Sequence, residues 1–272
     1  MPSAVDAIET FAEEIASCCD EAAGRQLFAI IDLARLDNPV DHLNRFKRIA
    51  GASNLFMGQP EASAEILAPW LLPLACAQPC QELREFLRLE NQVGGVASWV
   101  MTDLPAPELA SRLSHRMTAS TQGKTALFRF YDPRLLGVIA QNASEAWKER
   151  FFSLGSGGWL WVEETGCLMR MELNAGDGEM VSPVPVEDNL AQALQYKSEQ
   201  VQILGLLSRN WPEAWSHWPH HRRRAYVNAL IDESLQGGEG DFSRKARYCR
   251  LKLARKSMPK NASWRVSVGD VA

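Results

Sequence analysis

The stretch KTALFRFYDPRLL, residues 124–136, is the part of the chain from which we interpret the fold. Its first eight residues alternate, with Phe128 and Phe130 on one face at period two, and this pattern predicts a strand. Asp132 and Pro133 then end the strand, because aspartate is a strong N-cap and proline suits the first helical position. Apolar residues follow at helical spacing. The stretch therefore predicts a strand that turns sharply into a helix.

Arg129 lies in the middle of this otherwise apolar strand. A guanidinium group is costly to remove from water unless a carboxylate or several carbonyls meet it. Arg129 is therefore expected either on an exposed face of the sheet or fixed by a buried acid. We further expect Arg129, together with Asp132, to hold the corner between the strand and the helix.

Alternating strands and helices before Trp147 predict an α/β fold, with a sheet and flanking helices in an N-terminal lobe over residues 1–175. Residues 174–188 combine Gly, Asp and Pro without a period, and we interpret them as a linker. Helical patterns follow and predict a smaller, all-helical C-terminal lobe over residues 187–272. Its last helix is predicted over residues 242–256.

The bulk composition is that of an ordinary globular protein. The chain has 272 residues, of which 46% are hydrophobic and 23% are charged. No apolar run approaches the length of a membrane span, so no membrane insertion is expected. The N-terminus lacks the pattern of a signal peptide, and the six cysteines have no framework spacing. A reducing bacterial cytoplasm is the expected location.

Charge is distributed unevenly along the chain. From Tyr196 onward there are 14 Lys and Arg against 7 Asp and Glu, although the whole chain has a net charge of −4. The predicted last helix carries Arg244, Lys245 and Arg247, which suggests a nucleic-acid-binding protein as one function. Because the rest of the chain is acidic and no aromatic stacking platform accompanies these residues, an acidic protein surface is the favoured partner.

Tryptophan and arginine recur in patterns that are compatible with protein binding. Tryptophan is enriched at interface hot spots, although a stripe of it is more often core. The helix predicted from residue 222 also opens with arginines, which opposes the helix dipole unless something outside the helix pairs with them. The candidate partner-binding residues are Trp159, Trp161, Trp211, Trp215, Trp218, Arg222, Arg223, Arg224, Arg244 and Arg247.

Three aspartates, Asp32, Asp103 and Asp132, each follow a predicted strand. Such carboxylates can build a metal or phosphoryl-transfer site, so a metal-dependent hydrolase or phosphoryl-transfer enzyme is an alternative function. Aspartate at these positions more often caps a helix or turn. No nucleophile elbow, phosphate-binding loop or metalloprotease motif accompanies them. We therefore expect no enzyme activity, no metal and no cofactor.

Five segments, in order, resemble the adaptor/chaperone domain of bacterial type VI secretion systems. They are LFAIIDLA from residue 27, LFMGQPEASAEILAPWLLPL from residue 55, GGVASWVMTDLPAPELASRLSHRM from residue 94, LFRFYDPRLL from residue 127 and ERFFSLGSGGWLWVEETG from residue 149. This resemblance implies a non-enzymatic adaptor that binds a secreted toxic effector and loads it onto the VgrG spike. It identifies a domain and assigns no contact residues.

Overall fold

The computed structural model describes residues 4–20, 24–75, 79–163, 166–176, 182–210, 220–238 and 241–257. The chain divides into two compact units between Lys197 and Ser198. This division falls inside a long helix. It lies eleven positions after residue 187, at which the second lobe was predicted to begin.

The described residues form nine strands and nine α-helices. The strands are β1 (Gln26–Asp32), β2 (Ser53–Asn54), β3 (Pro69–Leu74), β4 (Ala97–Thr102), β5 (Thr118–Thr121), β6 (Lys124–Leu127), β7 (Gly157–Val162), β8 (Leu168–Leu173) and β9 (Val184–Pro185). The helices are α1 (Ala4–Asp20), α2 (Pro39–Phe46), α3 (Gln81–Val93), α4 (Ala106–Ser114), α5 (Pro133–Asn142), α6 (Glu145–Phe151), α7 (Asp188–Asn210), α8 (His220–Gln236) and α9 (Phe242–Ser257). Three short 3₁₀ helices accompany them at Leu33–Arg35, Pro60–Ser63 and Glu65–Leu67.

Six strands form the main sheet in the order β2-β3-β1-β4-β7-β8. Every neighbouring pair in this sheet is antiparallel. The predicted fold class is confirmed, since helices flank this sheet in the N-terminal part and helices make up the C-terminal part. Because the pairing is antiparallel, two adjacent strands such as β1 and β4 have their carboxyl ends at opposite ends of the sheet.

Helices cover both faces of the main sheet, which explains why its central strands are almost continuously apolar. On one face, Trp159 of β7 packs edge-on against Phe130 and Phe152. On the other face, Trp70 of β3 meets Phe46 of α2, which also contacts Phe86 of α3. All six residues of β4 are buried as a result.

The strand predicted over residues 124–131 is shorter than expected and is not central. Only Lys124–Leu127 is a strand, and it belongs to a small second sheet with the order β6-β5-β9. All four of its residues are exposed, whereas Phe128 and Phe130 leave the strand and enter the aromatic core. The Phe128 amide still donates to the Met117 carbonyl at 2.7 Å, and both rings pack against Phe151 of α6.

Part of the segment interpreted as a linker is packed onto the first unit. Val184 of β9 is fully buried, and β9 pairs in parallel with β5. The indole of Trp147 donates to the carbonyl of Pro185 at 2.8 Å, and the amide of Ser144 donates to the Glu187 carboxylate at 3.0 Å. Proline and glycine content therefore predicted an irregular backbone correctly but did not reveal these anchoring contacts.

The second unit has a small apolar core of its own. Its buried residues include Ile203, Leu207, Val227, Ile231, Cys249 and Leu253. Helices α8 and α9 pack against each other. Within the described ranges, no helix is both long enough and apolar enough to cross a membrane.

Candidate functional site

The end of β1 holds a carboxylate that is almost completely buried. The Asp32 side chain is 1% exposed, and its Oδ1 accepts a hydrogen bond from the amide of Ala34 at 3.2 Å. Its Oδ2 accepts from the guanidinium of Arg129. Burial raises the pKa of Asp32 above its ordinary value, although the charge of Arg129 opposes this shift. Of the two alternatives for Arg129, a buried acid is therefore the correct one.

Asp132 begins helix α5, as predicted, but its ion-pair partner is Arg134 and not Arg129. Its Oδ1 accepts from the amide of Arg134 at 3.0 Å and from Arg134 Nε at 2.8 Å, while Oδ2 accepts from Nη2. Pro133 occupies the first helical position, as expected. Burial alone raises the pKa of Asp132, but the charge and hydrogen bonds of Arg134, with the charge of Arg129, outweigh burial and lower it. The corner is thus held locally by its own arginine.

A third buried acid, Glu90, lies near the end of α3 and was not among the predicted site residues. Its carboxylate accepts three backbone amides, those of Gly95 at 2.8 Å, Val96 at 2.6 Å and Ala97 at 2.8 Å. Burial raises the pKa of Glu90 despite these bonds. The sequence feature that could have indicated this role is the Gly94–Gly95 pair. Two glycines after a helix predict a tight turn, and the buried amides that follow the turn need hydrogen-bond acceptors.

Glycine at position 95 lets the guanidinium of Arg134 lie directly against the backbone. Gly95 has a φ of +76°, and a Cβ built there would lie 2.7 Å from Arg134 Cζ. Arg35 reaches the same turn and donates to the carbonyl of Gly94 at 3.2 Å. We call the six charged residues of this region the corner cluster; its members are Asp32, Arg35, Glu90, Arg129, Asp132 and Arg134. It ties β1, the start of β4 and the start of α5 together.

Asp103 does not join the other two strand-end aspartates. Because β1 and β4 are antiparallel, with Gln26 opposite Thr102, Asp103 lies at the other end of the sheet from Asp32. There its Oδ1 accepts from the amide of Ser156 at 2.9 Å. In the described part of the chain, no three His, Cys, Asp or Glu side chains are grouped so as to hold a metal ion. The alternative of three converging carboxylates is therefore not supported, whereas the capping role holds for Asp32 and Asp132, which accept the amides of Ala34 and Arg134.

Two of the candidate interface tryptophans belong to the core. Trp159 is fully buried and Trp161 is 2% exposed, both on the face of β7 that packs against α5 and α6. The indole N–H groups of both have no hydrogen-bond partner among the described residues. Interface use of this pair is therefore corrected to core packing. Trp211, Trp215 and Trp218 lie outside the described residues.

The arginines of the second unit have different environments. Arg223 is half-buried, while the side chains of Arg222 and Arg224 lie outside the described part of the structure. Arg244 and Arg247 are exposed on α9, where Arg244 forms an ion pair with Asp241 at 3.1 Å.

Several charges of the second unit pair within that unit. Lys245 is 5% exposed and meets Glu199 of α7 at 2.6 Å. Glu233 at the acidic end of α8 meets Lys252 of α9 at 2.5 Å, so the charge that opposes the helix dipole does pair outside its own helix. The basic face of α9 is thus partly neutralised by acids of the same unit.

Among the described residues, strand β8 pairs only with β7 and is therefore an edge of the main sheet. The Glu163 amide donates to the Cys167 carbonyl at 2.8 Å, which fixes the alternation of the hairpin ladder. Met169, Met171 and Leu173 therefore direct their amides and carbonyls toward β7. Leu168, Arg170 and Glu172 direct theirs outward. Asn174 continues this alternation, because its amide also points away from β7 and donates to the Phe152 carbonyl at 3.1 Å.

An open cleft of about 310 Å³ lies between β8 and the helices α5 and α6. Ala140, Phe152 and Met171 form its apolar part, and charged residues surround them. Lys148 pairs with Glu145 at 2.5 Å, and Arg170 pairs with Glu172 at 2.8 Å. The remaining charge on the lining is the exposed carboxylate of Glu149.

Comparison with known families identifies one domain. Residues 27–149 match the model of a family described as a domain of unknown function, DUF4123. The match covers a little under half of the chain, from β1 to α6, and contains the whole corner cluster. No curated protein and no solved structure matches the chain significantly.

Proposed function

We propose that this protein is a bacterial cytoplasmic adaptor that binds a type VI secretion effector and loads it onto the VgrG spike, without enzymatic activity of its own. The observation that carries the proposal is the family match over residues 27–149. That segment contains four of the five motifs that resemble the type VI adaptor domain and reaches the start of the fifth.

The corner cluster supports a structural use of the charged residues in this domain. Asp32, Glu90 and Asp132 are each at most 6% exposed and are occupied by arginines or backbone amides. Carboxylates held in this way stabilise a rigid turn between three elements. Partner binding is then a task for the surfaces that this core supports.

The two alternative functions receive less support. A metal-dependent hydrolase requires carboxylates that converge, whereas Asp103 lies at the opposite end of the sheet from Asp32. A nucleic-acid-binding protein requires free cations on α9, whereas Lys245 and Lys252 pair with Glu199 and Glu233. Neutralised lysines release few counterions from a polyanion and contribute little affinity.

Co-purification tests the proposal directly. The tagged chain is co-expressed with the products of the neighbouring spike and toxin genes, and a stable complex with one or both is expected. In parallel, Asp32→Ala and Asp132→Ala are purified and compared with the wild type in thermal unfolding and in a screen for metal-dependent hydrolysis. Lower stability without any turnover supports the adaptor. Metal-dependent turnover by the wild type that both variants lose would overturn it.

A further inference from the structure

We infer that the free edge of β8 and the adjoining cleft form a docking site for an extended segment of a partner protein, which adds a strand to the main sheet. This inference rests on the proposed function, because it names the surface and the kind of segment through which such an adaptor binds.

The outward backbone groups of β8 determine the conformation of the partner. The amides and carbonyls of Leu168, Arg170 and Glu172 point away from β7, and no described residue forms a hydrogen bond with them. An edge of this kind is completed by another extended backbone, in the manner of strand addition. A helix cannot present amides and carbonyls at the spacing of this ladder.

The edge is open over a defined length. Beyond Glu172, the Asn174 amide is already bonded to the Phe152 carbonyl at the end of α6. At the other end, Glu163 and Cys167 close the hairpin. The open part therefore accepts a short strand of about five residues, which is a common strand length.

The cleft defines the side chains that the segment carries. Alternate residues of an added strand point toward α5 and α6, where Phe152, Met171 and Ala140 offer an apolar contact. The charged lining has three acids and two bases, and both bases are already in ion pairs with Glu145 and Glu172. The Glu149 carboxylate is therefore the group on the lining that can pair with a cationic side chain of the partner segment. The expected segment thus carries an apolar residue and a Lys or Arg on the same face of the strand, two positions apart.

A panel of synthetic peptides tests this inference. Overlapping peptides of about twelve residues, twice the length of a typical strand, tile the products of the neighbouring spike and toxin genes. Binding to the full-length chain is measured by fluorescence anisotropy. At least one peptide with an apolar and a basic residue two positions apart is expected to bind. If no peptide in the panel binds, the docking site is refuted, while co-purification of the whole proteins still decides the proposed function independently.

Two substitutions at one position separate backbone pairing from side-chain contact. Arg170→Pro removes an outward amide without removing a bond to β7, and it is expected to weaken peptide binding roughly tenfold. Arg170→Ala keeps the amide and is expected to bind within about twofold of the wild type, since an exposed side chain contributes little. Equal binding by the wild type and Arg170→Pro would overturn the inference.

Charge reversal tests the composition of the segment. Glu149→Lys is expected to weaken the basic peptide roughly tenfold, as expected for loss of a charge-assisted contact. The matched control is Glu13→Lys on α1, an exposed acid on a helix that does not line the cleft, and it leaves binding unchanged.

Hydrogen exchange on the wild type makes the test independent of variant folding. The bound peptide is expected to slow exchange over residues 168–172, and exchange in α1 is expected to stay the same. Unchanged exchange over residues 168–172 with a bound peptide would place the contact elsewhere and contradict strand addition.

Discussion

Arg129 donates a hydrogen bond to the buried carboxylate of Asp32, a residue that lies 97 positions earlier in the chain. The two partners are unequally buried, since the side chain of Asp32 is 1% exposed and that of Arg129 is 36% exposed. Removal of Arg129 therefore leaves a buried carboxylate, whereas removal of Asp32 leaves a guanidinium that is partly exposed to water. The pair links the end of β1 to the segment that leads into α5.

The first prediction concerns this asymmetry. Arg129→Ala leaves the Asp32 carboxylate buried without its guanidinium, and we expect a loss of about 2–4 kcal/mol in the free energy of unfolding. Asp32→Asn is expected to cost less, because the released Arg129 side chain can turn toward water. Urea unfolding at neutral pH measures both. The exposed Arg48→Ala serves as the control and is expected within about 0.5 kcal/mol of the wild type.

The second prediction concerns pH. The pKa of Asp132 is lowered in the folded protein, so its ionised form contributes stability at pH values above the ordinary 3.8. This contribution is lost as the pH falls through the lowered pKa. The stability difference between the wild type and Asp132→Asn should therefore be largest near neutral pH and shrink below about pH 4. Urea unfolding over a pH series measures it, and a constant difference would contradict the ionised Asp132–Arg134 pair.

The third prediction compares two glycines with nearly the same backbone conformation. Gly95 has a φ of +76° and Gly123 a φ of +75°, but only at Gly95 would a Cβ meet another side chain, that of Arg134. Gly123→Ala should cost about 1–2 kcal/mol, which is the conformational term alone. Gly95→Ala should cost about 1–3 kcal/mol more, because the paired Arg134 must also move. Thermal unfolding measures both, and equal losses would show that Arg134 does not pack there.

The fourth prediction concerns the basic helix of the second unit. Lys245→Ala removes the buried ammonium that meets Glu199 at 2.6 Å, and we expect a loss of about 2–3 kcal/mol in the stability of that unit. Arg247→Ala, on the exposed side of the same helix, should stay within about 0.5 kcal/mol of the wild type. Circular dichroism during urea unfolding measures the change. A reversed order would mean that Arg247, and not Lys245, stabilises the second unit.

The sequence predicted much of the fold because burial and capping leave local patterns. The helix that begins at Pro133 and is capped by Asp132 follows from periodicity and from residues next to it in the chain.

Features that depend on long-range pairing could not be predicted in the same way. The direction of the strands is one such feature. Because β1 and β4 are antiparallel, Asp103 and Asp32 lie at opposite ends of the sheet. The partner of Arg129 was another, because the sequence placed Arg129 with the nearby Asp132, whereas it pairs with Asp32. Glu90 was missed because a glutamate near the end of a helix looks like a solvated residue until the turn after it is known. The free edge of β8 likewise becomes visible only once the strand order is known.

The central claim is that the protein works by binding other proteins. The most direct measurement is isothermal titration calorimetry of the purified full-length chain with the purified effector encoded beside it, followed by the VgrG spike. We predict saturable binding of the effector, and binding of the spike by the resulting complex. Absence of heat with both proteins, together with steady metal-dependent turnover of a small substrate by the chain alone, would contradict this account.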